Sequence, residues 1–150
     1  MSNTQYTDLV DAFYNKIRDY NFVTMSADTA NSIVISYIPK ACIMFESCNQ
    51  NLEDRDDELQ QFNFELSKTN FEILCNFMLI TYLDAEYICV PQMLKSRLST
   101  SDFHSLNLHN QLSKVMELRT MLKSENDQLA INKSYKDSKL FDLVTNRKKV

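Results

Sequence analysis

At 150 residues, 44% hydrophobic and 24% charged, the chain has the length and make-up of one folded domain with a core of its own. It holds no glycine, two prolines and no tryptophan, which excludes the glycine-rich phosphate loops, argues against tight two-residue hairpins and points to an all-α fold. A net charge of −4 and a pI of about 5.1 disfavour non-specific nucleic-acid binding by the body of the protein.

Residues 4–20 place Tyr6, Leu9, Val10, Phe13, Ile17 and Tyr20 three and four apart, which predicts a helix with one apolar face. Thr4 or Thr7 would cap it, with Asp8 and Asp11 near the favourable end of the helix dipole. Residues 21–25 read as a connector. Ser26 is a good N-cap for a second helix near 27–48, with the stripe Ala30, Ile33, Val34, Tyr37, Ile38, Ala41 and Phe45. Pro39 lies inside it and either kinks the helix or divides it. The run Ile33-Val34-Ile35 leaves a strand as the minor alternative.

Residues 49–58 are polar and acidic and read as a loop leading into a short helix. Asp54 or Asp56 would cap it, and Leu59, Phe62, Phe64 and Leu66 would be its buried side. Thr69-Asn70-Phe71-Glu72 has the form of a capping box. It would open the most apolar helix, over 70–84, expected at the centre of the core. Asp84-Ala85-Glu86 interrupts, and a further helix is expected over 87–98 with Pro91 near its first turn. Ser99-Thr100-Ser101-Asp102 is the clearest break, followed by a one-turn helix and then a long helix over 108–131.

That last helix carries a narrow seam: Leu108, Leu112, Val115, Arg119, Leu122, Asn126 and Leu129 alternate spacings of four and three. This is an a/d heptad pattern with two polar members, Arg119 and Asn126. Spacing alone leaves open whether the facing helix lies within the chain or across a subunit boundary. The pattern dissolves after Lys133, so a helical domain over 1–131 and a basic C-terminal tail over 132–150 are expected. Residues 1–130 contain ten Lys/Arg and eighteen Asp/Glu, a charge of −8, whereas residues 131–150 contain six and two, a charge of +4. Within the tail, Leu140-Phe141-Asp142-Leu143-Val144 is an apolar island and Arg147-Lys148-Lys149 a basic close. Such a tail is either a solvated, frayed end or a docking arm for an acidic surface, on a neighbouring subunit or on nucleic acid.

Little in the chain points to catalysis. His104 and His109 are five apart, which fits neither a helical metal pair nor a zinc signature. Cys42, Cys48, Cys75 and Cys89 form no C-x-x-C, and read as small buried hydrophobes in a reducing compartment. The acidic run Asp54-Arg55-Asp56-Asp57 would gather a hard cation only without the glycine turn that an EF-hand needs, so a solvated face or one pairing with a basic partner is expected instead. The aromatics alternate with Asp, Glu and Asn rather than with Lys and Arg, so no base-stacking platform is expected. The first residues have neither the basic nor the apolar region of a signal peptide, and residues 71–83 are too short and polar to span a membrane. A soluble, intracellular protein without cofactor or metal is therefore expected.

The order of segments is informative. Arg18-Asp19-Tyr20-Asn21-Phe22 is followed by Tyr37-Ile38-Pro39-Lys40-Ala41, then Leu52-Glu53-Asp54-Arg55-Asp56-Asp57-Glu58 with Phe62-Asn63. Next come Phe71-Glu72-Ile73-Leu74-Cys75-Asn76-Phe77-Met78, then Leu98-Ser99-Thr100-Ser101-Asp102-Phe103, and a long helix beginning Leu108-His109-Asn110-Gln111-Leu112. This series resembles the small neck, or head–tail connector, proteins of tailed bacteriophages that infect Gram-positive bacteria. The resemblance covers about residues 5–135 and is carried by segment order; where relatives often have a tryptophan near the end of the central helix, this chain has Tyr82. It implies a mostly helical bundle of five to six helices in the virion, assembled in the host cytoplasm as a homo-oligomeric ring, twelve-fold, between the portal protein and the tail or other neck proteins. DNA would pass through the ring without sequence-specific binding, and no membrane would be involved. The residues expected to mediate interaction are Asp54, Arg55, Asp56, Asp57, Arg119, Leu140, Phe141, Leu143, Val144, Arg147, Lys148 and Lys149. The competing expectations are a small helical binding or regulatory module, acting as monomer or dimer through the 108–129 seam, and an enzyme with an unrecognised carboxylate or metal site.

Overall fold

The computed structural model describes residues 2–17, 20–89 and 105–138. Among the described residues the chain is mostly helical with one small two-stranded sheet. Helix α1 spans Tyr6–Lys16, α2 Tyr20–Thr24 and α3 Ala27–Met44; strands β1 Arg55–Asp56 and β2 Gln61–Phe62 form a hairpin; α4 spans Lys68–Leu83 and continues into a π-helical turn, Asp84–Cys89; α5 spans Ser105–Asp137.

Helix α1 is shorter than expected, because Ile17 is already extended. Gln5 rather than a threonine stands at its N-cap, with the Asp8 carboxylate accepting from the Gln5 backbone N–H in a capping box. Thr4 is used elsewhere: its hydroxyl oxygen accepts from the Leu66 N–H at 2.9 Å, and its backbone pairs with Phe62 and Phe64. Residues 4–6 thus lie along β2 and tie the N-terminus to the hairpin. The expected connector at 21–25 is mostly the short helix α2.

Ser26 caps α3 as expected, its side chain accepting from the Thr29 N–H. The helix runs unbroken through Pro39, so the division and the strand reading of Ile33-Val34-Ile35 both fall away. It ends at Met44, four residues before the expected end, where Phe45 leaves helical geometry and is buried.

The hairpin overturns the helix expected after the acidic run. A glycine-free chain turns here by placing Gln60 at φ 53°, in the left-handed region that glycine usually fills. The Asp56 carboxylate accepts from the N–H groups of Glu58 and Leu59, both at 3.0 Å, and holds the turn from within. Phe62 and Leu66 are buried as expected and Phe64 half-buried, but Leu59, at 64% exposure, sits on the hairpin tip. The left-handed backbone costs a residue with a Cβ about 1–2 kcal/mol. Gln60→Gly is therefore expected to stabilise the fold by about 0.5–1 kcal/mol after the extra chain entropy of glycine, read from the urea midpoint.

Helix α4 is the central element, packed against α1, α3 and α5. Ile73, Leu74, Cys75, Met78 and Ile80 are fully inaccessible. Its cap is Ser67, two residues before the expected Thr69, with the Ser67 hydroxyl accepting from the Asn70 N–H. Asn70 is thereby carried into the core, where its amide donates to the side-chain oxygens of Asn49 and Gln50 at 2.9 and 2.7 Å. Asp84 does not interrupt the chain; helical geometry continues through the π-turn. Of the helix expected over 87–98, residues 87–89 belong to the π-helical turn; the rest of it, the break at 99–102 and His104 lie outside the described residues, and the long helix begins at Ser105.

One end of the core is an aromatic cluster. Phe13 is fully buried, with ring centroids 5.7 Å from Tyr82, 6.1 Å from Tyr37 and 6.5 Å from Phe22. The Tyr82 and Phe22 contacts are edge-on and the Tyr37 contact is tilted, and such pairs add to the burial of each ring.

Candidate functional site

The expected interaction residues divide into three groups. Asp54, Arg55, Asp56 and Asp57 fall on the hairpin, Arg119 on α5, and Leu140, Phe141, Leu143, Val144, Arg147, Lys148 and Lys149 outside the described residues.

The hairpin is tethered from both sides. The Arg55 guanidinium donates to the Leu52 carbonyl at 3.0 Å and pairs with Asp57 at 3.3 Å. The Tyr6 hydroxyl donates to Asp57 at 2.6 Å. Burial, and then this bond to a carboxylate, push the Tyr6 hydroxyl far above its ordinary range. Asn63 donates to Asp54 at 2.8 Å. These bonds use part of the acidic run for structure. Glu53, Asp54, Asp57, Glu58 and the apolar tip Leu59 remain exposed.

Arg119 has a structural partner. Its guanidinium grips Asp84 through two donors, Nε to Oδ1 and a terminal nitrogen to Oδ2, the latter at 2.9 Å. A two-point Arg–carboxylate pair fixes orientation as well as distance. It joins α5 to the π-turn. Asn126, the other polar member of the seam, is buried; its amide donates to the Ile73 carbonyl at 3.2 Å, and its oxygen accepts from Asn76 at 3.1 Å. Val115 and Leu122 pack onto the same core. Over these residues the seam faces the chain's own core, and a charge at Val115 or Leu122 would strike the fold itself.

The seam departs from the heptad near its end. Ala130 is buried while Leu129 is 43% exposed. A straight helix drifts about 20° per heptad against a strict seven-residue repeat, so the buried line moves one position along. Away from the core, α5 exposes Met116 and Met121, the latter at 52%, and on the opposite flank from Met116 it exposes Leu118. Leu112, Met116, Thr120 and Met121, with Glu117 and Glu125, line a shallow groove of about 690 Å³. Sequence reading passed over Met116 and Met121 because they lie off the seam; apolar residues at off-seam positions of an otherwise polar helix were the available signal.

A second groove, of about 610 Å³, lies where α3 ends, lined by Ile43, Phe45, Glu46, Cys48, Leu52 and Glu53 among others. Ile43 is 71% exposed on its edge. The last turn of α5 reaches this groove, because Asn49 on its wall donates to Asp137 at 2.7 Å.

Cys42 and Cys75 have the environment expected of core residues, whereas Cys48 is half-buried. Burial pushes Cys42 up to about 11 and Cys75 up to about 12 from an ordinary 9.0, which keeps both protonated and unreactive at neutral pH. Both folded values lie above the unfolded one. Their contribution to stability is therefore complete below pH 9 and is lost as pH rises through about 11 to 12. The urea midpoint is expected to fall steeply between pH 9 and 12, and less steeply in Cys75→Val.

Among the described residues, no group of His, Cys, Asp or Glu is arranged to hold a metal ion. No helix among them is long and apolar enough to cross a membrane. Comparison with protein-family models, curated proteins and solved structures found no match.

Proposed function

We propose that this chain is a structural subunit of a phage neck, a head–tail connector that assembles into a ring joining portal to tail around the DNA channel. The observation that carries the reading is the outer side of α5. A 33-residue helix spends one side on its own core and leaves Met116, Leu118 and Met121 open to solvent. Exposed apolar side chains on an otherwise polar helix face, with Met116 and Met121 lining one groove, suit an interface, and a repeated interface between unlike faces of identical subunits closes into a ring. The order of sequence segments, read as that of small neck proteins, supports the same assembly.

The charge distribution fits a channel protein. An acidic body repels phosphate, so a DNA strand passing along it is not held back by the attraction that retains non-specific ligands. The twelve-fold count and the portal as neighbour belong to this proposal through the resemblance alone. The competing binding-module reading relied on an unengaged seam; Val115, Leu122 and Asn126 are engaged with the core.

The reading is tested on the full chain with Met121→Glu and Met116→Glu, two exposed positions whose substitution leaves the core intact. Native mass is expected to fall from a ring to a single subunit while the helical circular-dichroism signal and melting temperature hold. A ring that persists in both variants would remove this face from the assembly.

A further inference from the structure

We infer that the groove at the end of α3 is the seat of the chain's own C-terminal tail, with the apolar island 140–144 in the groove and the basic close 147–149 on the acidic hairpin. The inference does not depend on the connector reading.

Three observations converge on it. The first is position: Asn49, on the wall of the groove, holds Asp137 at 2.7 Å, so the described chain ends at Ser138 on the rim of this groove. Lys133, one turn earlier, is close enough to Cys48 to act on its thiol electrostatically.

The second is length. Residues 140–144 follow Ser138 by two to six positions. An extended chain covers at most about 3.3–3.6 Å per residue, so the island falls within about 7–22 Å of the rim. The groove on the outer side of α5 lies further off along the same helix: its nearest lining residue, Glu125, precedes Ser138 by thirteen residues, about 20 Å at 1.5 Å per residue, at the limit of the island's reach. Met121 precedes Ser138 by seventeen residues, which is about 25 Å at 1.5 Å per residue, and Met116 is further still. The α3 groove is the apolar seat the tether favours, and a short tether gives the island an effective concentration on the order of millimolar that a second copy must outcompete.

The third is chemistry. The groove offers one open apolar side chain, Ile43 at 71% exposure, above a floor formed by the buried Phe45 and Leu52, to an island of Leu140, Phe141, Leu143 and Val144. Its acidic side, Glu46 and Glu53, continues into Asp54, Asp56, Asp57 and Glu58 of the hairpin, where Arg55 is the one cation. Arg147, Lys148 and Lys149 are nine to eleven residues beyond Ser138, a reach of about 30–39 Å when extended. The +4 tail and this edge are complementary in sign. The exposed tip of an otherwise well-tethered hairpin, and the exposure of Ile43, both acquire a purpose.

The test is zero-length carbodiimide cross-linking of the full chain, using an equal mixture of ordinary and ¹⁵N-labelled protein read by peptide mass spectrometry. The expected result is links from Lys148 or Lys149 to Glu46, Glu53 or the hairpin carboxylates, each within one isotope. Yield should drop roughly tenfold in Phe141→Asp/Leu143→Asp, and again in Ile43→Asp, a surface change that leaves the core alone. It should also fall as salt is raised. Mixed-isotope pairs would assign the groove to a second copy and overturn the inference. So would the absence of these links, or links that survive both anchor variants.

Discussion

Phe13→Ala will lower stability by about 3–5 kcal/mol, the range for removing a fully buried aromatic ring. Phe13 is inaccessible to solvent and is met by Tyr14, Phe22, Tyr37 and Tyr82 from three other parts of the chain and its own helix. Truncation takes away the ring's transfer free energy and leaves a cavity. Ring neighbours held by α1, α3 and α4 cannot all close over it, because each is fixed by its own helix. The urea midpoint should move to lower concentration with the slope unchanged. The melting temperature should fall by roughly 10 °C or more for a chain of this size. A loss below about 1 kcal/mol would mean that this end of the core is not packed as described.

Asn126→Ala will cost about 2–3 kcal/mol, although it removes a polar residue from the core. Asn126 is the buried clasp between α5 and α4, donating to Ile73 and accepting from Asn76. Its loss leaves the Asn76 amide without that acceptor and opens a small void beside α4. Asn126→Leu fills the void but not the hydrogen bond, so it should recover only part of the loss. Full recovery in Asn126→Leu would make the site a packing position. The partial recovery expected here identifies a polar pin that sets how α5 is placed along α4, which in turn fixes which residues stay outside.

The helices were largely legible in the sequence because their signals are local and mutually consistent. Ser26 caps α3 where the apolar stripe begins, and the apolar girth of residues 73–80 marks α4 as central. What was not legible turned on long-range pairing. The absence of glycine argued against a hairpin, yet Gln60 accepts a left-handed backbone because Asp56 braces the turn and residues 4–6 pair along β2. Thr4 resembled a helix cap and is a tertiary hydrogen-bond acceptor for Leu66. Ser67 won over Thr69 as the α4 cap once Asn70 had buried partners in Asn49 and Gln50. Such partners lie twenty or more positions away and leave no periodic trace.

The interaction residues followed the same division. The acidic run was visible as charge, but its shape, with Asp56 turned inward to the backbone and Leu59 outward, came only with the fold. Arg119 stood out as a polar intruder in an apolar seam. Its partner Asp84 looks in sequence like a break between helices, since a π-turn has no sequence signature comparable to an N-cap. The α3 groove was invisible because its walls, all within residues 42–53, form a groove only where the chain leaves α3 at Phe45 and turns back, a bend that no periodic pattern marks.

The native mass of the full chain, alone and mixed with a candidate portal or neighbouring neck protein, tests the connector proposal most directly. The account predicts a large ring, or a single subunit that assembles only onto that partner. A stable monomer or dimer that ignores virion proteins would contradict it.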